Sequence, residues 1–350
     1  MKKIRLTSIC SPKQWRTIPT KDLLDEGYPV YGANGVIGYC KEYNHTSDTI
    51  IIGCRGSCGN VNIARGKSYI NGNAMCLDDL SSDVDILYLY YFLQNYDFRS
   101  VISGTTIPQV TKQGLEKIDV VVSSKENQRE IVRQLQLLDS IIEERHKELR
   151  YFDALIKSRF IEMFGNEIYP VTPLINLIKE GAGLSYGIVQ PGNDGTGDMG
   201  ILRPVDMVDG KISAASIKYI SRDIGDSFKK TELTGDELLI TVRGTTGITA
   251  LTDGRFVGMN VTRGIAVIRY DRRKINPIYL KTYLNTDKSQ RYIQEHTRGA
   301  TLQQINLSDL RIQEIPVPPM TRQEKMAAFV EQVDKSKYHG EFTCGMEVAA

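Results

Sequence analysis

The sequence predicts an α+β fold in which two related α/β domains are each followed by a long helix. Two observations carry this prediction, an internal repeat and a long helical heptad pattern. Residues 104–115 read GTTIPQVTKQGL, and residues 299–310 read GATLQQINLSDL. The match continues at the same offset through Gln128 and Gln323 as far as Asp139 and Asp334. Because a repeat sets the architecture of a chain, we expect two copies of one structural unit.

The composition is that of a globular protein. The chain has 350 residues, of which 41% are hydrophobic and 25% are charged, which is enough for two or three domains. Its net charge of +2 is compatible with nucleic-acid binding but is not evidence for it, because such binding depends on clustered positive charge. No apolar run approaches the roughly 18 residues of a membrane helix, and MKKIRLTSIC is too polar for a signal peptide. We therefore expect a cytoplasmic protein with no membrane partner.

The six cysteines show no zinc-binding pattern. Only Cys54 and Cys58 lie close together, and the second copy has Val242 and Thr246 at the corresponding positions. A shared fold therefore does not need these thiols. We predict reduced, structural cysteines and no metal site.

The first domain is predicted over 1–124 and the second over 166–319. In each, a β-branched run predicts a strand (IIIGCRG at 50–56, LLITVRG at 238–244), and a later segment predicts a helix (86–98, 278–293). A further strand is expected at 118–122 and 313–317. Pro318 and Pro319 end the second domain, since proline continues neither a strand nor a helix. Residues 181–200 are rich in glycine and are expected to form a loop.

A long central helix is predicted over 125–165, because no glycine or proline occurs from Lys125 to Met163. At 1.5 Å per residue, about 40 residues form a rod of roughly 60 Å. A second, shorter helix is predicted over 320–338, followed by a divergent tail at 339–350 that lacks heptads. Apolar residues three and four apart are expected to pack along a partner helix: Ile131, Leu135, Leu138, Ile142, Leu149, Phe152 and Ile156 in the first helix, and Met326, Val330 and Val333 in the second.

The motifs of an independent catalyst are absent from the sequence. The only Pro-Pro pair follows Val317, so no Asn/Asp-Pro-Pro-aromatic methyltransferase loop is present, and Glu-x-Lys does not occur. Gly66-Lys67-Ser68 lacks the first glycine of a P-loop, and neither GxSxG nor HExxH is found. We predict no catalytic residue and no cofactor in this chain.

Three kinds of segment could contact nucleic acid. Arg55-Gly56 and Arg243-Gly244 follow predicted strands, where glycine permits close approach and arginine donates to phosphates or bases. The Gln/Thr segments at 104–112 and 299–304 could read adenine edges, and YPVYGANGVIGYCKEYN (28–44) combines tyrosines with amides.

Each of these segments also has a structural interpretation. The Arg-Gly motifs could form tight turns with a solvated arginine, and the Gln/Thr segments could be crossovers whose glutamine hydrogen-bonds buried backbone groups. Residues 28–44 could form a hairpin that turns at Asn-Gly. The RYDRRK run at 269–274 could touch phosphates or form a solvated face. The candidate DNA-binding residues are Tyr31, Asn34, Lys41, Arg55, Ser57, Asn60, Thr105, Thr106, Gln109, Lys112, Arg243, Thr245, Thr246, Arg263, Thr301, Gln303 and Gln304.

The order of globular unit, long helix, globular unit and helix resembles the specificity subunits of type I restriction–modification systems. YPVYGANGVIGY, GCRGSCGNVN, the GTTIPQV/GATLQQI pair and IPVPPMTRQEKMAAFVEQVDKSK resemble segments of that family, and the resemblance covers about 1–338. It implies two target recognition domains in a pseudo-twofold arrangement, held apart by long helices that pair as an antiparallel coiled coil. The second helix departs from the family pattern, in which it is as long as the first.

The resemblance also implies a function. Each domain would read one half of a split double-stranded DNA site, and the central helix would set the spacing of the halves. The chain would have no active site and would recruit two methyltransferase subunits, which use S-adenosylmethionine to methylate adenine, and motor-nuclease subunits for restriction. Other hypotheses are a self-sufficient enzyme acting on nucleic acid, a coiled-coil protein-interaction scaffold, and the specificity component of a related methyltransferase or nuclease system.

Overall fold

The computed structural model describes residues 2–104, 108–190, 197–300 and 302–347, and gives 338–347 as helical backbone. The fold mixes helices and strands, as the predicted α+β class requires. It divides into two compact units, Met1–Arg145 (unit 1) and His146–Ala350 (unit 2). Across the described ranges, every helix is too short or too polar to cross a membrane.

The described residues of unit 1 form eleven short strands, two short α-helices and the first half of a long helix. Its helices are α1 (Ile86–Gln94), α2 (Lys112–Leu115) and the start of α3 (Lys125–Phe164). Its strands are β1 (Lys2–Arg5), β2 (Ser11–Gln14), β3 (Tyr28–Gly32), β4 (Gly35–Cys40), β5 (Thr49–Gly53), β6 (Val61–Ala64), β7 (Tyr69–Ile70), β8 (Ala74–Asp78), β9 (Ile102–Ser103), β10 (Gln109–Val110) and β11 (Asp119–Val122).

The core of unit 1 is built around β5, which lies inside a four-stranded antiparallel sheet of order β2-β8-β5-β6. All five residues of β5 are buried, because its two faces pack against different apolar clusters. Ile50 and Ile52 face the cluster that contains Leu89 of α1, whereas Ile51 faces the one that contains Ile70. A second sheet of order β4-β3-β7 and the pairs β1-β11 and β9-β10 contain the other described strands of the unit.

In its described part, unit 2 contains the end of α3, five further α-helices and thirteen strands. The helices are α4 (Arg222–Asp226), α5 (Pro277–Leu284), α6 (Asp287–His296), α7 (Leu307–Ile312) and α8 (Met320–Glu347). The strands are β12 (Val171–Pro173), β13 (Ser185–Tyr186), β14 (Met199–Leu202), β15 (Met207–Val208), β16 (Lys211–Ile212), β17 (Lys218–Ile220), β18 (Leu238–Thr241), β19 (Thr249–Leu251), β20 (Asn260–Val261), β21 (Ile265–Ile268), β22 (Thr297–Arg298), β23 (Gln304–Ile305) and β24 (Glu314–Pro316).

The internal repeat is also a repeat of topology. Unit 2 has a four-stranded sheet of order β13-β21-β18-β19, a three-stranded sheet of order β17-β14-β20 and the pair β12-β24. These match three of the sheets of unit 1 strand for strand, including the parallel pairs β3·β7 and β14·β20. The pair β22-β23 likewise matches β9-β10, and the β15-β16 pair has no counterpart among the described strands of unit 1. The two units therefore share one chain path, although few of their side chains are the same.

Three sequence-based predictions differ from the structure. Residues 278–293 were expected to form one helix but form parts of α5 and α6, because Asn285 ends α5 and the Thr286 side chain caps α6 by accepting from the Ser289 amide. The predicted loop at 181–200 contains β13, whose two residues pair with β21. The second long helix was expected to end at 338 but continues to Glu347, since the glycines after 338 weaken a helix without terminating it.

The long helix α3 is packed at both ends and exposed between them. In unit 1, Ile131 and Leu135 are half-buried, but Leu138 and Ile142 are 53% and 54% exposed, so the predicted packing of these two residues is not met there. The heptad pattern identifies an apolar face, and it does not specify what covers that face. Leu149 in unit 2 is half-buried.

In unit 2, the last part of α3 packs with the first part of α8. Phe160 of α3 stacks on Tyr279 of α5 with ring centroids 5.7 Å apart. The Lys337 ammonium of α8 donates to Asp153 Oδ1 of α3 at 2.7 Å. The predicted packing residues in this region are half-buried (Phe152, Ile156) or buried (Met326, Val330, Val333).

A buried glutamine at the start of each long helix connects that helix to its globular unit. Gln128 Oε1 of α3 accepts from the Asp85 amide at 2.8 Å, where Asp85 is the N-cap of α1. Gln323 Oε1 of α8 accepts from the amide of Asn276, the N-cap of α5, also at 2.8 Å. Both side-chain amides then donate to backbone carbonyls just before their own helices. The position of each long helix is therefore fixed relative to one short helix of its unit.

Gln128→Ala should loosen the junction of α1 and α3. The change leaves the Asp85 amide and the Asp83 and Ser123 carbonyls without the bonds they make to this side chain, at a cost of about 2 kcal/mol. Hydrogen exchange followed by mass spectrometry should show faster exchange over residues 83–94. Gln136→Ala, at an exposed position of the same helix, is the matched control. Equal protection of 83–94 in both variants would contradict the anchoring role.

Candidate nucleic-acid interface

The arginine-glycine motif of unit 1 forms a tight turn directly after β5. In this turn, here called turn 1 (Gly53–Asn60), the Gly53 amide donates to the Asn60 carbonyl at 2.8 Å, and the Gly59 amide donates to the Gly53 carbonyl at 2.9 Å. Gly56 and Gly59 have φ values of 75° and 85°, which side-chain-bearing residues rarely adopt. The turn presents Arg55 and Asn60 to solvent, with Ser57 half-buried.

The Gln motif of unit 1 lies against turn 1. The Val110 amide of β10 donates to the Cys54 carbonyl at 3.2 Å, and the Cys58 thiol donates to the Pro108 carbonyl at 3.0 Å. The half-buried Gln109 therefore lies beside turn 1, with the exposed Lys112 three residues further on at the start of α2.

The β3-β4 hairpin reaches the same turn through its tip. Asn60 Nδ2 donates to Asn34 Oδ1 at 2.6 Å, which connects the Asn-Gly turn of the hairpin to the end of turn 1. Lys41 is exposed after β4. Tyr31 is half-buried and packs against the cluster around Ile51, while its hydroxyl accepts from the Arg65 amide at 3.4 Å. Tyr31 therefore belongs to the smaller core of the unit.

Unit 2 repeats this arrangement. In turn 2 (Thr241–Ile248), the Thr241 amide donates to the Ile248 carbonyl and the Gly247 amide donates to the Thr241 carbonyl, both at 2.8 Å. Gly244 and Gly247 have φ values of 83° and 91°. These bonds match those of turn 1 residue for residue.

The Gln motif of unit 2 also lies against its turn. The Ile305 amide of β23 donates to the Val242 carbonyl at 3.0 Å, and the Gly244 amide donates to the Gln303 carbonyl at 2.9 Å. Arg243 and Gln304 form an isolated β-bridge. The predicted residues Arg243, Gln303 and Gln304 therefore form one patch.

Three other predicted residues of unit 2 have different settings. Thr245 is exposed in turn 2, and Arg263 is exposed one residue before Gly264, whose carbonyl accepts from the Val242 amide at 2.8 Å. Thr246 is only 4% exposed, and its hydroxyl lies 3.1 Å from that of Thr297. Because a buried hydroxyl cannot reach DNA, the prediction for Thr246 is wrong and this residue is structural. Three candidates lie outside the described residues: Thr105, Thr106 and Thr301.

The RYDRRK run does not form a set of free cations. Arg269 donates to the Lys230 and Glu232 carbonyls, Arg272 donates to Asp236, and Arg273 pairs with Asp271. The Arg273 guanidinium hydrogen-bonds the Asp271 carboxylate and lowers its pKa to about 2. These arginines organise the local chain, so the structural interpretation of the run is favoured.

The cysteines described with their side chains form no disulfide: Cys10, Cys40, Cys54, Cys58 and Cys76 are free. One group of side chains was missed by the sequence analysis. His45, Cys76 and Asp78 place their nitrogen, sulfur and oxygen atoms within 4.8 Å of one another. Their spacing along the chain matches no metal-binding motif, and only the fold brings His45 to β8.

A family model for the type I restriction modification DNA specificity domain matches residues 1–150 and 194–339. The chain is 26% identical over 167 residues to the specificity subunit of the type I restriction enzyme EcoBI from Escherichia coli, covering 48% of this chain and 35% of that relative. A protein of Haemophilus influenzae with the provisional name of a type I restriction enzyme specificity subunit is 22% identical over 323 residues, covering 87% of this chain and 80% of that protein. The match to the first of these relatives therefore spans about a third of its length.

Solved structures share the fold. The S subunit of a type I restriction-modification system from M. genitalium has a TM-score of 0.55 at 16% identity, covering 99% of this chain and 93% of that one. A chain from a study of complex assembly and conformational transition of the type I R-M system has a TM-score of 0.51, also at 16% identity, with the same coverage. The chain belongs to the type I restriction-modification DNA specificity family, since the family model matches most of its length.

Two glycines of turn 1 should respond differently to substitution. A Cβ at Gly59 would lie 2.8 Å from Phe98 Cβ, whereas a Cβ at Gly56 would have no neighbour within 4 Å. Gly56→Ala should therefore cost only the left-handed backbone penalty of about 1 kcal/mol, and Gly59→Ala should cost clearly more. Chemical denaturation of the two variants measures the difference. Equal losses would show that the packing of turn 1 on Phe98 does not matter for stability.

Proposed function

We propose that this chain is the DNA-reading subunit of a type I restriction–modification complex, and that each unit reads one half of a bipartite double-stranded target. The observation that carries the proposal is the repeated hydrogen-bond frame of turns 1 and 2. The frame is the same in both units, but the side chains it presents differ. Two readers of different sequences would require this combination of a constant backbone and variable side chains.

The side chains on the two frames suit base and phosphate contacts. An exposed arginine can donate two hydrogen bonds to guanine, and a glutamine or asparagine can bridge two atoms of adenine. Unit 1 offers Arg55, Asn60 and Gln109 on or beside turn 1. Unit 2 offers the half-buried Arg243 and the pair Gln303 and Gln304 beside turn 2. The side-chain amides are arranged differently around the arginine in each unit. This difference supports the proposal that the two units read half-sites of different sequence.

Catalysis is assigned to partner subunits. We propose two methyltransferase subunits that bind S-adenosylmethionine, together with motor-nuclease subunits, as the family resemblance implies. One structural neighbour comes from a study of complex assembly in such a system, which supports an assembled role for the fold. A coiled-coil scaffold without DNA affinity remains the alternative, favoured by the exposed apolar residues of α3.

The host genome tests the proposal directly. Methylation of adenine should occur at a split sequence motif, and deletion of this gene should abolish it while the methyltransferase gene is intact. Purified chain should bind DNA that contains this motif far better in the presence of the methyltransferase subunits. Binding without sequence preference, with or without the partner, would refute the reading function and leave the scaffold alternative.

Arg55→Ala should weaken DNA binding and reduce its dependence on salt. Removing one phosphate-neutralising cation lowers the slope of log affinity against log salt by about 1, and losing a bidentate base contact costs about 1–3 kcal/mol. Fluorescence anisotropy of the assembled complex across a salt series measures both. Arg129→Ala, at an exposed position of α3, is the control. If the two variants bind equally, turn 1 is not part of the interface.

We further propose that α3 sets the spacing between the half-sites, because the boundary between the units falls within this helix. An insertion that duplicates residues 139–145 adds one heptad and should lengthen the non-specific spacer in the methylated motif, leaving both half-site sequences unchanged. Seven residues added after Ala350 form the control of equal length. An unchanged spacer after the insertion in α3 would contradict its role as a ruler.

A further inference from the structure

A histidine, a cysteine and an aspartate of unit 1 come together at β8, and none of them belongs to turn 1. Cys76 and Asp78 are two residues apart on β8, so their side chains point to the same face of the sheet. His45, which follows β4 in the chain, reaches this face with Nε2 at 2.9 Å from Asp78 Oδ1. Cys76 is fully buried, and the side chains of His45 and Asp78 are 9% and 17% exposed. None of the three takes part in the interface proposed above.

The neighbouring Asn44 determines which nitrogen of His45 carries a hydrogen. Asn44 Nδ2 donates to the Ile70 carbonyl at 3.1 Å, and Asn44 Oδ1 accepts from the Ile70 amide at 2.8 Å, which fixes the orientation of the side-chain amide. The same Oδ1 lies 2.7 Å from His45 Nδ1. Nδ1 must therefore be the donor, and Nε2 faces the Asp78 carboxylate.

With Nδ1 protonated, a neutral imidazole would direct the Nε2 lone pair at a carboxylate oxygen. Two acceptors at 2.9 Å repel each other unless a cation lies between them. A proton on Nε2 would satisfy these two groups, and the Cys76 thiol would keep its separate hydrogen bond to the Lys13 carbonyl at 3.0 Å. A metal ion uses all three. A metal-binding histidine commonly donates its other N–H to an oxygen acceptor, which is the part that Asn44 plays.

We propose that unit 1 binds a divalent transition-metal ion of the zinc class through His45 Nε2, Cys76 Sγ and Asp78 Oδ1. On binding, the Cys76 thiol proton leaves to solvent and a sulfur–metal bond forms. The charges of the dication, the thiolate and the carboxylate then sum to zero, so no net charge is buried. Trp15 Nε1 donates to Cys76 Sγ at 3.0 Å and stabilises the thiolate.

The required movement is small. Ligands of a tetrahedral zinc ion, at about 2.0 to 2.3 Å from the metal, lie roughly 3.5 Å from one another. The three ligand atoms already lie within 4.8 Å of one another, so shifts of side chains alone suffice. Three protein ligands leave one position for water. The bound ion would connect β8 to the segment after β4, close to Tyr43 and Lys41.

The site is specific to unit 1. In unit 1, Ile51 of β5 pairs with Cys76 of β8. In unit 2, the residue that corresponds to Ile51 is Leu239, and it pairs with Val267. Valine at the cysteine position removes the thiolate. Unit 2 therefore serves as a comparison within the same chain, because its matching position cannot bind the ion. The proposed metal site is independent of the DNA reading that is proposed for both units.

The test is to add Co²⁺ to the purified full-length chain and record its absorption spectrum. A thiolate ligand produces a sulfur-to-cobalt charge-transfer band in the near ultraviolet, which should saturate at about one equivalent and be displaced by Zn²⁺. Cys76→Ser should abolish the band, and Cys58→Ser should retain it. Asp78→Asn should weaken binding, and circular dichroism identifies variants that fail to fold.

A second measurement uses the wild-type chain only. Zinc should remain bound after dialysis, as measured by elemental analysis, and should raise the unfolding temperature relative to chain treated with a chelator. Absence of both a thiolate band and retained zinc in the wild-type chain would overturn the proposal, and a proton would then occupy the space between His45 and Asp78. A band that persists in Cys76→Ser would overturn the assignment to this site.

Discussion

One backbone hydrogen bond in each unit holds the arginine turn beside the glutamine strand. The Val110 amide meets the Cys54 carbonyl, and the Ile305 amide meets the Val242 carbonyl. Each bond joins a strand distant in sequence to the residue that follows the central strand of the unit. Further contacts, such as those of Cys58 with the Pro108 carbonyl and of the Gly244 amide with the Gln303 carbonyl, strengthen the same junction. Because the bond involves only backbone atoms, the side chains around it can change without loss of the frame.

At the long helices, buried glutamines play the part that these backbone hydrogen bonds play at the turns. The side-chain oxygens of Gln128 and Gln323 accept from the amide of the N-cap residue of a neighbouring short helix. The long helices are therefore joined to their units by hydrogen bonds that require one residue type. Glutamine can donate and accept at once, which an aliphatic residue of the same size cannot do. The same residue therefore recurs at both positions, whereas most of the apolar residues around it differ between the units.

The repeat, the class of fold and the course of α3 could be predicted from the sequence, because periodicity and self-similarity are local patterns. The break at Asn285 and Thr286 could not, since capping competes with a helical pattern that continues through it. The burial of Thr246 also escaped prediction, because neighbours in the same turn are exposed and only the contact with Thr297 separates them. The approach of His45 to Cys76 and Asp78 depends on sheet pairing, which spacing along the chain does not encode.

The exposed middle of α3 has a practical consequence for handling this protein. Leu137, Leu138, Ile141 and Ile142 are between 47% and 60% exposed, and they lie together on about one and a half helical turns. Apolar area of this kind drives self-association as concentration rises. The monodisperse fraction of the chain produced alone should therefore fall as its concentration rises. Co-expression with a protein that covers this stretch, or mild detergent, should restore a monodisperse preparation.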